Sequence, residues 1–575
     1  MIDDARTIPA DSDLTADICV IGGGAAGIAI GRELAGSSLK VIILESGGLE
    51  FETAVNDLDK GDIVGLPYFL LDTARLRYFG GSSNHWGGVC RPLEPIDFEA
   101  RDWIPGSGWP ITRADLDPYY PRAATIAGLQ VANWDLARWS RVSRYPVWPF
   151  APDDPIESVV AQVVDSDIRA FPKRFRSAIE AATNVTVQLH ANAISIDTEA
   201  SSRHVERIRV ATLEGNKFTV TARVVILASG GLENARLLLA SDGVRPDGVG
   251  NDHGLVGRYF MEHPRFRAGM IVPADPRLRI GFYDFQDVGE AILQGYLTLT
   301  NAAARQERLT DVQIRLNPIY DPAIQAALDA PVVDAARDLE ERLGKVSKIG
   351  NAIGEVGKDL TVLSADLMSW QQDVIAGGPL AVPLPDVVDE VIRRAGTGNV
   401  EAAMPLLFGD LATAGLGQLA GGLPLDGIWL STRIEQTPNP DSRVSLTDHR
   451  DALGMRQIQL DWRFTDLEKR SVIRTLELLG AELGRYGLGR LRVEIDDDPQ
   501  SWPDDLAGGW HHMGTTRMHD DPTRGVVNRD CQVHGIDNLY IAGSSVFTTA
   551  GSGTPTMTVV ALALRLVDHL REQLG

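Results

Sequence analysis

The chain has 575 residues, of which 44% are hydrophobic and 23% charged, and its net charge is −23. This length exceeds what one hydrophobic core usually supports, so we expect two domains. The acidic charge argues against nucleic acid and anionic membrane surfaces as partners.

The N-terminal region predicts a βαβ nucleotide-binding unit over residues 14–50. An apolar strand, 17–21, runs into a G-x-G-x-x-G turn at 22–27. A helix-compatible run then leads to a second apolar strand, 40–44, which Glu45 closes. An acid in this place can accept a hydrogen bond from a ribose hydroxyl.

Each glycine of that turn has a physical task. Gly22 permits the tight turn, Gly24 lets the backbone approach a pyrophosphate, and Gly27 lets the helix pack close to the strand. The phosphates would lie at the helix N-terminus, beside Ala25 and Ala26, where free N–H groups and the helix dipole favour an anion. The motif alone leaves NAD and FAD open.

The middle of the chain predicts a second element of the same kind. A glycine-rich turn occupies 79–88, and a strand is expected at 185–189. The apolar run 223–229 ends in a glycine turn at Gly230 and is followed by a helical pattern. We expect this strand in the same sheet as the first, which makes the nucleotide domain discontinuous. Strand-like alternation over 266–320 indicates a different domain.

Residues 331–375 carry an apolar stripe at helical spacing, interrupted by four glycines. Each glycine weakens a helix by about 1 kcal/mol, so one long helix and two shorter helices both fit. The stripe predicts a helix packed on its own domain, or alternatively a lid or a partner-docking arm.

The C-terminal region contains a predicted strand pair at 444–462, an amphipathic helix at 467–486 and a third strand-to-glycine element at 539–545. Between them, 508–518 places two histidines beside glycines, which allows close approach to a planar cofactor. The last helix is expected to open at Pro555, with its N-terminus favouring negative charge.

At this point the chain resembles the glucose-methanol-choline (GMC) flavoprotein oxidoreductases, in the branch of pyranose oxidase and bacterial sugar or glycoside dehydrogenases. The blocks that carry the resemblance are 22–45, 80–86, 510–518 and 538–558, with 434–444 similar to the family's entry strand into the substrate domain. They span nearly the whole chain, and they imply FAD as the dinucleotide.

The fold class is therefore expected to be α/β, with a discontinuous Rossmann-like FAD-binding domain and a second α+β substrate domain on a mostly antiparallel sheet. The FAD-binding domain is predicted at 14–115, 184–265 and 515–575. The substrate domain is predicted at 116–183 and 266–514, with a helical insertion at 325–425.

The resemblance also implies the cofactor site. Glu45 would hold the adenosine ribose, Ala193 the adenine through its backbone, and Gly543 with Ser544 the pyrophosphate or ribityl chain. His85 precedes Trp86 as the covalently flavinylated histidine of some relatives does, and the alternative is a histidine packed near the flavin without a bond. The cofactor-binding residues so implied are Gly22, Gly24, Ala25, Ala26, Gly27, Glu45, Ser82, Ser83, Asn84, His85, Ala193, Gly230, Gly543, Ser544, Pro555 and Thr556.

The catalytic base is expected at His511, which lies four residues before Thr515 as in the family. A near-neutral imidazole can take a hydroxyl proton as hydride leaves carbon for flavin N5. His512 would point to the other side. The family's second catalytic His or Asn is replaced here by Thr554, which cannot act as a base. Either another side chain, with His512 and Glu435 as candidates, supplies that contact, or His511 acts mainly alone, or the chemistry departs from alcohol oxidation.

The expected function is FAD-dependent oxidation of a CH–OH group on a sugar, glycoside or other secondary alcohol, with oxygen or another electron acceptor. The apolar segment 375–383 equally fits a pocket for a bulky apolar alcohol. Alternatives from other classes are a lyase in which FAD is structural, and a docking protein or homo-oligomer that uses 331–375.

The cysteines and the N-terminal sequence indicate the cellular compartment in which the protein resides. Cys19, Cys90 and Cys531 lie far apart, with neither metal-site nor disulfide-framework spacing. The acidic N-terminus lacks a signal-peptide core, and no apolar run is long enough to span a bilayer. We therefore predict a cytoplasmic protein without a metal or a transmembrane segment.

Overall fold

The computed structural model of the chain describes residues 1–320, 424–498 and 501–575. The predicted helices at 331–375 and the pocket segment 375–383 lie outside the described residues. So does the predicted insertion at 325–425, apart from its last two positions.

The first sheet is mostly parallel and contains the predicted βαβ strands at its centre. Along the sheet the order is β1, β7, β3, β2, β10, β9, β8, and β19 pairs with β10. Strands β8 to β10 are antiparallel to one another, whereas the other pairs are parallel. The strands are β1 (Ile2–Asp4), β2 (Asp13–Ile21), β3 (Val41–Leu44), β7 (Val185–Leu189), β8 (Asn192–Thr198), β9 (Val205–Ala211), β10 (Lys217–Leu227) and β19 (Leu539–Ile541).

The second sheet is antiparallel throughout, in the order β18, β11, β15, β14, β13, β6, β5, with β12 paired to β13. It confirms the expected α/β architecture with a second, mostly antiparallel sheet. Its strands are β5 (Val89–Cys90), β6 (Ile156–Val163), β11 (Arg265–Pro273), β12 (Phe285–Asp287), β13 (Ile292–Leu299), β14 (Val312–Tyr320), β15 (Leu425–Ile434) and β18 (Gly489–Val493).

A smaller third sheet joins the predicted strand pair to an earlier segment. Strands β16 (Arg443–Arg450) and β17 (Arg456–Trp462) are antiparallel, and β17 pairs in parallel with β4 (Gly61–Gly65).

The residue bounds that the sequence gives for the FAD-binding and substrate domains stay a prediction.

Helices cover the sheets on their apolar faces. The long helix α11 (Asp466–Arg485) begins at a capping box, in which the side chains of Thr465 and Glu468 each accept from the other residue's backbone N–H. Its buried Val472, Leu476 and Leu479 join the core of the second sheet. The helices are α1 (Ala25–Leu34), α2 (Thr53–Asn56), α3 (Pro95–Phe98), α4 (Arg113–Leu116), α5 (Tyr120–Ala127), α6 (Leu136–Val142), α7 (Ser166–Arg169), α8 (Phe171–Ala181), α9 (Gly230–Ala240), α10 (Asn301–Glu307), α11 (Asp466–Arg485) and α12 (Pro555–Leu574).

The parallel strands place the predicted glycine turns side by side. Strands β2, β10 and β19 are neighbours, and each ends in a glycine segment at the same edge of the sheet. Ligands of open α/β sheets bind at this carboxyl edge. No helix within the described ranges combines the length and the apolar composition that a membrane span requires.

Candidate functional site

The turn at the end of β2 fits the geometry that the motif predicts. Gly22 has φ +110°, and a Cβ there would lie 2.6 Å from the Ala228 carbonyl oxygen. A Cβ on Gly27 would lie 2.0 Å from the Gly22 carbonyl oxygen. Both positions therefore require glycine for the fold itself. Ala25 and Ala26 begin α1 directly behind the turn.

Three glycines at this edge instead face open space. A Cβ on Gly24, on Gly230 or on Gly543 would have no atom within 4 Å. They follow β2, β10 and β19 respectively, so the three backbones line one cradle at the carboxyl edge of the sheet. Open space beside glycine backbone at a helix N-terminus suits a phosphate-bearing ligand.

Glu45 is buried, with 5% exposure, at the end of β3. Its carboxylate accepts hydrogen bonds from the backbone N–H groups of Gly23 and Gly47, each at 2.9 Å. Burial raises the pKa of Glu45, and these hydrogen bonds oppose that shift. The Glu45 carbonyl also accepts from Ala191 at 2.8 Å, which brings the segment leading to Ala193 beside the acid.

The 80–85 loop lies against the same turn. Gly80 donates to the Gly23 carbonyl at 2.9 Å, and a Cβ on Gly81 would lie 3.7 Å from the Gly24 Cα. The side chains of Ser83 and Asn84 hold the loop together by donating to its own carbonyls. Ser82 is exposed.

His85 ends this loop with a half-buried ring. Its Nε2 is hydrogen-bonded to the Tyr78 hydroxyl, and the two ring centroids are 5.9 Å apart. The loop contacts on Gly23 and Gly24 therefore place His85 on the same side of the sheet as the cradle.

The backbone of the predicted base, His511, is held by a buried glutamate that the sequence did not reveal. Glu262 is fully buried and accepts from the backbone N–H groups of His511 at 2.8 Å, Gly509 at 2.9 Å and His263 at 2.8 Å. Tyr68 also donates its hydroxyl proton to this carboxylate. The four donors fix the path of the backbone on which both imidazoles stand.

His263 contacts His511 directly. The two Nδ1 atoms are 2.8 Å apart, and the rings meet edge to face at 5.0 Å between centroids. The other nitrogen of His263, Nε2, is 2.8 Å from the Gly551 carbonyl oxygen. Because a carbonyl can only accept, Nε2 of His263 carries the proton.

Burial lowers the pKa of each imidazole. It lowers that of His263 to about 4 and that of His511 well below 6.5, and the neighbouring Arg433 adds to both shifts. Both rings are therefore neutral near neutral pH. Since Nδ1 of neutral His263 is an acceptor, Nδ1 of His511 must donate, and Nε2 of His511 keeps its lone pair.

His512 points away from His511. Its Nε2 donates to the Tyr68 oxygen at 2.9 Å, and its ring packs at 6.0 Å from those of Tyr68 and Phe260. Burial lowers the pKa of His512 to about 3. Ser544 donates its hydroxyl proton to the His512 carbonyl at 2.6 Å, which ties the third glycine segment to the histidines.

The side chains of Thr554 and Glu435 both bond to other groups of the protein. Thr554 precedes α12, which Pro555 and Thr556 open, and its hydroxyl donates to the Val89 carbonyl at 2.6 Å. Glu435 forms a fully buried ion pair with Arg101. Arg101 donates to both carboxylate oxygens of Glu435, and the Asp311 backbone N–H donates to one of them at 3.2 Å, so the interpretation of Glu435 as the missing contact finds no support.

Sequence reasoning missed Tyr68, Glu262 and His263. The dipeptide Glu262-His263 stands directly before Pro264 and β11, outside every glycine motif. His263 is one of eleven histidines in the sequence, and only its contact with His511 distinguishes it from the others. Among the residues that the structure describes, no group of three or more His, Cys, Asp or Glu side chains could hold a metal ion.

Part of the chain matches the model of a known protein family. Residues 438–563, which include His511, His512 and the start of α12, match the family model described as GMC oxidoreductase. The chain is 24% identical to 6'''-hydroxyparomomycin C oxidase from Streptomyces lividus, over 98% of this chain and 93% of that protein. It is 22% identical to 2-methyl-1,2-propanediol dehydrogenase from Mycolicibacterium austroafricanum, over 96% and 95%.

The fold is similar to that of a solved structure, pyridoxine 4-oxidase from Mesorbium loti. The TM-score is 0.51 at 15% identity, and the match covers 97% of this chain and 99% of that one. At this identity the likeness concerns the fold alone.

Proposed function

We propose that the chain is a GMC oxidoreductase, as the match of residues 438–563 to that family model supports, and that it binds FAD and oxidises an alcohol with His511 as the general base. The relatives named above are oxidases and a dehydrogenase, so the enzyme is an oxidoreductase of alcohol or sugar hydroxyls. FAD, the base and the substrate of this chain are the parts that we propose.

The residues present fit FAD. Gly24, Gly230 and Gly543 leave a cradle that side chains would fill, and Glu45 stands at its ribose end. The N-terminus of α12 opens at Pro555, where its first N–H groups favour the electron-rich edge of a flavin. FAD bound there supplies the hydride acceptor. The protein's own residues supply the proton chemistry.

One observation carries the role of His511. The Gly551 carbonyl fixes the proton of His263 on Nε2, and His263 Nδ1 then fixes the proton of His511 on Nδ1. Nε2 of His511 is left as the acceptor, and no hydrogen bond from the described residues reaches it. A neutral imidazole held in this tautomer is ready to take a hydroxyl proton.

The lowered pKa of His511 serves this role. Because burial and the nearby positive charges lower it, the base stays deprotonated as pH falls below 6.5. His512 cannot replace it, since Nε2 of His512 already donates to Tyr68. Thr554 helps only by holding the start of α12 against β5 through the Val89 carbonyl.

The substrate class we propose is a sugar, a glycoside or another secondary alcohol, with oxygen or a different acceptor taking the electrons afterwards. The similar proteins 6'''-hydroxyparomomycin C oxidase and 2-methyl-1,2-propanediol dehydrogenase are named for hydroxyl compounds, which supports a polar hydroxyl substrate. A bulky apolar alcohol is the alternative that segment 375–383 suggested.

The test is an anaerobic substrate panel with the holoenzyme. A true substrate should bleach the flavin, and His511→Gln should slow that bleaching by about 100-fold or more, as expected for loss of a general base. The matched control is His449→Gln, an exposed histidine in β16, which should bleach at the wild-type rate. Equal bleaching by His511→Gln would reject His511. Product formation without bleaching would instead establish the lyase.

His85 is our candidate for a covalent link to FAD. It closes the loop that lies on Gly24, and its ring is half-buried beside Tyr78. Acid precipitation of the holoenzyme should leave the flavin with the protein pellet, and His85→Ala should release it. Complete release of the flavin from the wild type would show that His85 only packs near the flavin without a covalent bond.

A cytoplasmic location is also proposed. Cys19, Cys90 and Cys531 are all buried free thiols, which suits a reducing compartment. Homo-oligomerisation or docking through 331–375 stays a separate proposal, because those residues are outside the described part of the chain.

A further inference from the structure

Two arginines stand side by side on the second sheet. Arg265 of β11 is directly opposite Arg433 of β15, and Gln313 of β14 is opposite Arg433 on its other side. The intervening residues alternate to the opposite face, where Phe266 and Thr432 are buried towards α11. The row of Arg265, Arg433 and Gln313 thus lies on the face away from that core.

This row adjoins the candidate active site. Arg265 lies over the ring of Trp510, 4.6 Å from its centroid, one residue before the base. Arg433 donates to the Gln313 side-chain oxygen, and the Gln313 amide donates to Ser552 at 3.2 Å. Ser552 follows Gly551, whose carbonyl holds His263. Both arginines are also among the charges that lower the pKa of His511.

Neither arginine has a carboxylate partner among the described residues, although other inward-facing arginines do. Arg101 pairs with Glu435, and Arg236 pairs with Asp451. Asp311 raises the pKa of Arg433 through its charge, but the two residues form no ion pair within the described chain. Burial raises the pKa of Asp311, and Thr298 donates to its side chain. Asp311 therefore acts on the arginine row from a distance and is not its ion-pair partner.

Such a pair carries a cost in the free protein. Like charges on directly opposed residues of a sheet repel each other, and a deep guanidinium without an anion is poorly solvated. The Nε of Arg433 is buried without a hydrogen-bond partner. A guanidinium is shaped to hold an oxyanion through parallel N–H groups. An anionic ligand would supply what the pair lacks.

We propose that Arg433 and Arg265 bind an oxyanion group of the substrate, so that the enzyme acts on alcohols that also carry a carboxylate or a phosphate. This proposal rests on the proposed function, in which the oxidised hydroxyl lies at Nε2 of His511. It names the substrate class more narrowly than a sugar or secondary alcohol, and it excludes the bulky apolar alcohol.

The kinetic arm of the test compares matched alcohols with the holoenzyme: glucose, glucuronate and glucose 6-phosphate. At least one anionic member should give a higher kcat/KM than glucose. Arg433→Gln should lower that kcat/KM by about 10- to 100-fold, mostly through KM, as expected for a charge-assisted contact. Preference for glucuronate or for the phosphate identifies which oxyanion is recognised. Glucose preferred over both anions overturns the proposal.

The binding arm needs no turnover. Malonate and inorganic phosphate should raise the melting temperature of the holoenzyme saturably, compared with chloride at equal ionic strength. Arg433→Gln and Arg265→Gln should abolish that rise. The control Arg223→Gln removes an exposed arginine of β10 and should retain it. A rise that is absent in the wild type, or unchanged in Arg433→Gln, overturns the proposal.

The two arms separate this inference from the proposed function. If no alcohol bleaches the flavin while the anions still bind through Arg433, the proposed oxidation fails and the oxyanion site stands. If Arg433→Gln instead lowers kcat on glucose as strongly as on glucuronate, Arg433 acts at the reacting oxygen and the oxyanion role is overturned.

Discussion

The substitution His263→Phe tests whether the second histidine sets the protonation of the first. It removes the acceptor that lies 2.8 Å from Nδ1 of His511, and the donor that lies 2.8 Å from the Gly551 carbonyl. An imidazole without that acceptor is free to carry its proton on Nε2, where it cannot act as a base. The ring size is roughly retained, so the surrounding packing changes little.

The magnitude follows from the buried contact that is lost. An unsatisfied buried N–H group costs about 1–3 kcal/mol. At about 1.4 kcal/mol for each factor of ten, the base is placed about 10- to 100-fold less often in its working tautomer. The rate of flavin reduction should fall by that factor, while substrate binding changes less.

The measurement is single-turnover flavin reduction under anaerobic conditions, for wild type, His263→Phe and His263→Gln. The glutamine amide offers one acceptor and one donor, and it should restore part of the rate. Bound-flavin content and melting temperature are recorded for each variant, since a merely structural role would change these. A wild-type reduction rate in His263→Phe, or an equal loss in both variants, refutes the tautomer argument.

Three further outcomes are expected. Burial lowers the pKa of His512 to about 3, so the stability that neutral His512 contributes is complete above pH 6.5 and is lost as pH falls towards 3. His512→Gln should therefore flatten the dependence of melting temperature on pH over that range, and an unchanged slope contradicts this. Gly24→Ala should fold normally and bind FAD more weakly, as followed by flavin titration, whereas Gly27→Ala should lose stability because its Cβ would meet a carbonyl at 2.0 Å; equal behaviour would speak against the cradle. Glu435→Gln leaves Arg101 without its buried partner and should lower the free energy of unfolding in denaturant by about 3–5 kcal/mol, and a loss of activity without a loss of stability would give Glu435 a direct role.

The sequence predicted the parts of the fold that depend on local patterns. The strands before Gly22, Gly230 and Gly543 are apolar runs closed by glycine, and the structure brings them to one edge of a parallel sheet. The strand pair at 444–462 and the helix at 467–486 also follow from the sequence pattern, as β16, β17 and α11 confirm.

The site could be predicted only where a residue belongs to a motif. His511 stands in such a segment, but His263 is 248 positions away and meets it through tertiary packing alone. Arg433 and Arg265 become neighbours because β15 pairs with β11 in one register, and a shift of either strand by one residue would turn its arginine to the core. A single sequence does not encode register across such separations in any local pattern, so these contacts required the structure.

The loop before α12 explains how threonine is accommodated at position 554. Gly551 has φ +58°, and a Cβ there would lie 2.6 Å from an Asp97 carboxylate oxygen, so the loop keeps a path open only to glycine. Along that path the Gly551 carbonyl holds His263, Ser552 accepts from Gln313, and Thr554 donates to Val89. The three contacts join the base, the arginine row and the helix N-terminus. In the mechanism that we propose, Thr554 acts by fixing this loop, and the loop in turn determines on which nitrogen His511 carries its proton.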